Sequence, residues 1–259
     1  MLLFKAWRPL TLMMVIGALL AGCAGESEYE RRRDRTAQEL YAAARESLEL
    51  ENYKTAITKL EDLDSRYPFG PYSQQAQLDL LYAYYRNGDA PPATASADRF
   101  IRQNPRHPNL DYVYYMKGLV NFSAELGAFK EVLSAPFSER DASTAKQAFD
   151  DFAEFLKRYP DSKYSADAQQ RMIYLRNRLA EYELHVANYY IDRQAWMAAV
   201  NRARYVVDHF PGATSTAEAL ALMVRCYHEL GLPVQKEEAQ KVLALNYPQK
   251  AEEVVKQLQ

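Results

Sequence analysis

Ala199-Val200-Asn201-Arg202-Ala203-Arg204-Tyr205-Val206-Val207-Asp208-His209-Phe210-Pro211 decides the fold. It opens on a small residue, returns to one four positions later, places an apolar residue three beyond that, and ends at a proline. The same frame closes on Tyr67-Pro68, Asn104-Pro105 and Tyr159-Pro160. Twelve residues before the four prolines stand Ala56, Ala93, Ala148 and Ala199. Eight before stand Leu60, Ala97, Phe152 and Ala203, and five before stand Leu63, Phe100, Phe155 and Val206. A small side chain lets two antiparallel helices approach closely. Proline then stops the helix, because it lacks an N–H and clashes with the preceding turn. Recurrence at fixed offsets is the signature of the second helix of a tetratricopeptide repeat. A fifth copy closes on Tyr247-Pro248, with Lys236 and Gln240 at its first two places, as suits a terminal repeat facing water.

Working outward, the prolines are spaced 37, 55, 51 and 37 residues apart, against about 34 in the plain repeat. The two long gaps imply extra helix. From Asp161 to Phe210 there is no proline or glycine, and Ala168, Met172, Leu175, Leu179, Tyr182 and Val186 keep a helical stripe. Between Pro105 and Pro160, Gly127, Pro136 and the polar run Ser138 to Ser143 predict a loop over 127–143. The helix after it reads Ala145, Ala148, Phe149, Phe152, Leu156 and Tyr159. No segment alternates with period two, and glycine is scarce. The chain is therefore expected to be all-α, a right-handed superhelical solenoid of about five tetratricopeptide-like helix pairs with two elongated helices in the middle.

The first residues carry a different signal. Lys5 and Arg8 precede an uncharged apolar run from Leu10 to Leu20, which ends in Leu20-Ala21-Gly22-Cys23. The run is too short for a membrane span of ~20 residues, so 1–22 reads as a signal peptide. Small residues before one cysteine match the bacterial lipobox, which makes Cys23 the acylated residue. Several acyl chains, at ~0.8 kcal/mol per buried CH₂, anchor a protein for good. Ala24 in place of aspartate resembles the sorting signal for the outer membrane. The charged stretch 23–35 then reads as a tether reaching roughly 20 Å from the membrane. Cys226 is the only other cysteine. No intramolecular disulfide is available, and its helical setting beside Leu222 and Met223 predicts a buried small hydrophobe.

Composition and motifs argue against catalysis. The chain has 259 residues, 48% apolar, with a net charge of −2, so nothing draws it globally toward nucleic acid. The four histidines are scattered without metal-ligand spacing, and there is no phosphate loop, GxSxG elbow or EF-hand run. No catalytic residue, metal or cofactor is assigned. A rival reading is an envelope lipoprotein that grips peptidoglycan or incoming DNA. It would want a continuous basic stripe, and here acids interrupt the bases. A cell-wall hydrolase would want two facing carboxylates, and no spacing singles out such a pair.

One stretch exceeds what a generic repeat needs. Arg66-Tyr67-Pro68-Phe69-Gly70-Pro71-Tyr72-Ser73-Gln74-Gln75-Ala76-Gln77-Leu78-Asp79 joins the first two repeats. A rigid turn with tyrosines in the core would use some of these residues. Three aromatics and two prolines within six positions also suit capture of an extended or carboxy-terminal peptide bearing an aromatic side chain. Tyr67, Phe69 and Tyr72 are the candidate contacts, with polar help from Gln74 and Asp79.

This stretch, the lipobox and the five repeats together resemble the BamD family, the ComL-like lipoproteins, over essentially the whole mature chain. Phe100-Ile101-Arg102, His107-Pro108-Asn109, Asp111-Tyr112-Val113, Tyr164, the helix around Arg178-Leu179-Ala180, Tyr189-Tyr190 and Trp196 to Arg202 carry the likeness further. The resemblance implies a scaffold of the β-barrel assembly machine working beside the barrel subunit BamA. Repeats in 36–126 would receive unfolded outer-membrane protein clients, with BamC lying along the same face. Repeats in 127–259 would dock the membrane-proximal POTRA domain of BamA, with Arg202 at a position the family implicates. From Leu126 to Ser143 the wording departs from the family, and no role is carried onto that loop.

Overall fold

Each proline of the repeat frame stops a helix, and it does so through the residue before it. The computed structural model describes residues 35–131 and 141–258. Cys23, the leader and nearly all of the tether lie outside these described residues, as does most of the expected 127–143 loop. Among the described residues there are eleven helices and no strand. They are α1 (Ala37–Glu49), α2 (Tyr53–Arg66), α3 (Ser73–Asn87), α4 (Ala90–Gln103), α5 (Leu110–Glu131), α6 (Ser143–Arg158), α7 (Ser165–Ile191), α8 (Trp196–His209), α9 (Thr216–Glu229), α10 (Pro233–Asn246) and α11 (Pro248–Gln257). The five prolines follow α2, α4, α6, α8 and α10. The caps Tyr67, Asn104, Tyr159, Phe210 and Tyr247 all leave the helical well, with φ between −123 and −142 and ψ between 53 and 67. A pre-proline residue is pushed there by the ring that follows it.

The repeat register holds residue by residue. Ala56, Ala93, Ala148, Ala199, Leu60, Ala97, Phe152, Ala203, Leu63, Phe100, Phe155 and Val206 are at most 1% exposed. In the fifth copy Lys236 and Gln240 are half-exposed while Leu243 is buried.

The described chain forms two compact units, one ending at Ala76 and one beginning at Gln77. In the first, α1 packs on α2. A capping box starts α1: Thr36 Oγ1 accepts from the Glu39 N–H, and the Glu39 carboxylate accepts from the Thr36 N–H at 2.8 Å. Lys59 on α2 donates to Ser47 Oγ at 2.8 Å and to the Ala43 carbonyl at 3.0 Å, which satisfies the polar groups between the two helices. In the second unit α4 packs on α5, α5 on α6, and so on consecutively to α11, which also reaches α9.

Two helices are elongated, as expected, at 22 residues for α5 and 27 for α7. The loop does not begin at Gly127, however. Helix α5 runs through that glycine to Glu131, and Ser143 is already the first residue of α6. A glycine inside a helix costs about 1 kcal/mol relative to alanine, too little to end a helix anchored by buried Met116, Leu119, Val120 and Phe122. Gly118, four positions after Tyr114, is the glycine with a structural task. A Cβ there would lie 2.6 Å from the ring of Phe152, so its absence sets how closely α5 and α6 approach.

Buried charge ties the long helices together. Arg178 on α7 is the largest fully buried side chain. Its Nε donates to Glu125 on α5 at 3.1 Å and its Nη2 to the Asp141 carbonyl at 3.3 Å. Lys117 on α5 bridges Asp98 on α4 at 2.9 Å and Asp151 on α6 at 3.5 Å. Breaking a buried pair from one side costs about 3–5 kcal/mol, because the other charge is left without compensation.

Candidate functional site

The turn between α2 and α3 is held by its own hydrogen bonds. Gly70 N donates to the Tyr67 carbonyl at 3.3 Å and Ser73 N to the Gly70 carbonyl at 3.0 Å. The buried hydroxyl of Ser73 donates to the Pro68 carbonyl at 2.6 Å. With Pro68 and Pro71 fixing φ at two places, the turn is stiff. It presents Phe69 to water at 98% exposure, the highest of any large apolar residue described.

Its two neighbouring aromatics are half-buried and turn inward. Tyr67 donates its hydroxyl hydrogen bond to the Arg35 carbonyl at 3.0 Å. Tyr72 stacks on Tyr41 of α1, with ring centroids 5.2 Å apart and planes inclined by 28°. Both residues thus secure the first helix as well as flanking the turn. Gln74 is exposed on the first turn of α3. Asp79 belongs to the second unit, where it is only 8% exposed and lies near Tyr112. The structure therefore brings Tyr67, Phe69, Tyr72 and Gln74 together in the first unit and gives Asp79 an enclosed setting in the second.

Arg202 sits on α8 with its guanidinium 3.1 Å from the Glu183 carboxylate of α7. Arg202 is part-exposed and Glu183 mostly covered, so the arginine presents charge at the surface while its partner fixes its position. Tyr189 nearby is half-exposed beneath the Arg193 guanidinium, 3.5 Å from the ring centroid, a cation–π contact.

Sequence reasoning did not foresee a cluster between α5 and the start of α7. Tyr115 and Tyr164 stack at 4.6 Å with planes inclined by 11°, and Tyr112 lies 5.8 Å from Tyr164. The Tyr115 hydroxyl donates to Asp167 at 2.7 Å, and Arg171 reaches the same carboxylate at 2.6 Å while lying over Phe122. Burial, then the hydrogen bond and charge of Asp167, push the Tyr115 phenol up to about 12. Tyr112 rises further still, through burial first and then the neighbouring Tyr164 and Asp79. Burial raises Asp167, but the hydrogen bonds from Arg171 and Tyr115 outweigh it and hold the carboxyl below its usual range. The signal available in the sequence was the count of 20 tyrosines, which does not say which of them meet.

Cys226 is buried on α9 as expected, and burial pushes its thiol up to about 11, which leaves it a poor nucleophile. Among the described residues no group of three His, Cys, Asp or Glu side chains gathers as a metal site. Nor is any of their helices long and apolar enough to cross a membrane.

Residues 33–243 match a family model, YfiO, described as outer membrane lipoprotein. The chain is 41% identical over 229 residues to the outer membrane protein assembly factor BamD of Vibrio cholerae, covering 88% of this chain and 94% of that protein. It is 35% identical over 245 residues to the BamD of Neisseria meningitidis serogroup A, covering 93% and 92%. Against the BamD of Haemophilus influenzae the figures are 32% over 235 residues, 90% and 88%.

Proposed function

The chain belongs to the YfiO family of outer membrane lipoproteins, and on that premise we propose that it is an outer-membrane protein assembly factor, a scaffold rather than an enzyme. In this reading Cys23 carries the lipid that holds it on the periplasmic face of the outer membrane. The first repeats, 36–126, receive outer-membrane β-barrel clients. The later repeats, 127–259, dock BamA through its membrane-proximal POTRA domain, with Arg202 at the contact, and BamC and other assembly lipoproteins complete the complex. Relatives that match over nearly the whole of both chains and are named as assembly factors support the role.

The observation that carries the client site is Phe69. Exposed apolar matter on a rigid frame marks an interaction surface more often than a packing need, and the folding of α2 and α3 makes no use of this ring. Rigid prolines also reduce the entropy lost on binding. Tyr67, Tyr72 and Gln74 lie close to Phe69 in sequence, and Asp79 belongs to the helix that follows. Phe69→Ala should lower capture of a chaperone-held outer-membrane barrel protein by ~2 kcal/mol, the range of an aromatic hot spot, with circular dichroism unchanged. Full capture by a folded variant would remove the turn as the client site.

A further inference from the structure

Helix α10 keeps an apolar face where the other repeats are polar. It packs on α9 and α11 and buries Ala239 and Leu243. Val234, Val242 and Leu245 nevertheless stay exposed, Leu245 at 84%. The repeat supplies its own comparison. Three residues before the closing proline, the first four copies carry Ser65, Arg102, Lys157 and Asp208, all exposed. Six before, the first three copies carry Asp62, Arg99 and Glu154. The fifth copy places Leu245 and Val242 at those positions, so the repeat frame makes no demand for them. Exposed apolar residues gathered on one face mark an interaction surface.

The charges on that face select the occupant. At 3.6 residues per turn, Val234, Glu238, Lys241, Val242 and Leu245 fall on one face about 100° wide. Laid antiparallel on a second α10, about a twofold axis between Ala239 and Gln240, the stripe meets its own complement. Leu245 falls on Val234 of the second copy, and Glu238 falls on Lys241 of the second copy, each twice by symmetry. One register satisfies both pairs, which is what an isologous contact requires. Lys241 bonds Glu237 at 2.8 Å, but both side chains are exposed, so exchanging that bond costs little.

We propose that α10 is a homotypic interface through which two copies of this chain pair on the membrane. A contact of one helix face is small against the roughly 1,200–2,000 Å² of a standard complex, so the pair is weak in dilute solution. A lipid at Cys23 confines the copies to a surface and raises their effective concentration. The proposal rests on that anchor, which flotation of the chain with vesicles checks separately.

The test mixes full acylated chains, carrying a donor or an acceptor dye at the carboxy terminus, in vesicles of phosphatidylethanolamine and phosphatidylglycerol. Energy transfer above that of randomly placed copies reports pairing. Lys241→Glu should weaken pairing at least about tenfold, because it sets like charges opposite each other at both charge pairs. Leu245→Ser should weaken it as much, with circular dichroism unchanged. The double swap of Glu238→Lys with Lys241→Glu should pair with itself as the unaltered chain does, yet fail to pair with the unaltered chain. Random transfer in the unaltered chain overturns the proposal, and so does a double swap that pairs equally with both. Reduced BamA co-purification in Leu245→Ser, with only random transfer in the unaltered chain, gives the stripe to BamA and overturns the pairing. Chains that do not float with the vesicles overturn the anchor and, with it, pairing on the membrane.

Discussion

Gly118→Ala is expected to destabilise the second unit even though it improves helix propensity. Alanine gains about 1 kcal/mol over glycine in a helix interior. Against this, the new Cβ would stand 2.6 and 2.8 Å from two carbons of the Phe152 ring. Phe152 is wholly buried, with Tyr115 and Phe122 packed beside it, so it has no open side to retreat into. Overpacking of a filled core costs about 1–3 kcal/mol, and a contact this short belongs at the upper end. The net loss is about 1–2 kcal/mol, or about 2–8 °C in Tm for a chain of this size. Gly127→Ala supplies the control on the same helix. A Cβ there meets nothing within 4 Å, so the propensity gain stands alone and stability should rise by up to about 1 kcal/mol. Urea unfolding of the soluble chain, residues 24–259, would measure both. Equal stabilisation by the two substitutions would show that α5 and α6 can separate freely, and the close-approach account of Gly118 would be lost.

Three further outcomes are expected. Cys23→Ser should incorporate no labelled palmitate, because only the thiol accepts the lipid; a labelled variant would end the lipoprotein assignment. Arg202→Glu should weaken co-purification with BamA while leaving the fold intact, since a part-exposed pair such as Arg202–Glu183 is worth about 0–1 kcal/mol. Normal co-purification would put the contact elsewhere, and adding Glu183→Arg should restore the internal pair without restoring docking. Tyr115 makes stability pH-dependent on the alkaline side. Its folded pKa is raised from 10 to about 12, so its contribution is complete below pH 10 and is lost as pH climbs from 10 to 12. That loss amounts to roughly 2–3 kcal/mol. Tyr115→Phe should flatten this limb of the urea midpoint, and an unchanged slope would refute the assignment.

The repeat frame was legible because it rests on residues whose meaning is local. Proline ends a helix wherever it stands, and alanine at a helix crossing is required by the distance between two axes, so four copies in register sufficed to locate the core. Gly127 misled for the complementary reason. Its cost in a helix is small, and packing several residues away decided the matter. Arg178 was visible only as family text, because nothing in its neighbourhood of sequence says that Glu125, 53 positions earlier, will be there to receive it. The same holds for Tyr115, Tyr164 and Asp167, which α5 and the start of α7 bring together. At the turn, composition alone put Tyr67, Phe69 and Tyr72 on equal terms. Whether an aromatic in a turn faces in or out depends on what lies within its reach, and Tyr41 of α1 and the Arg35 carbonyl just before that helix receive two of the three. The third meets no such ring among the described residues, and it stands in water.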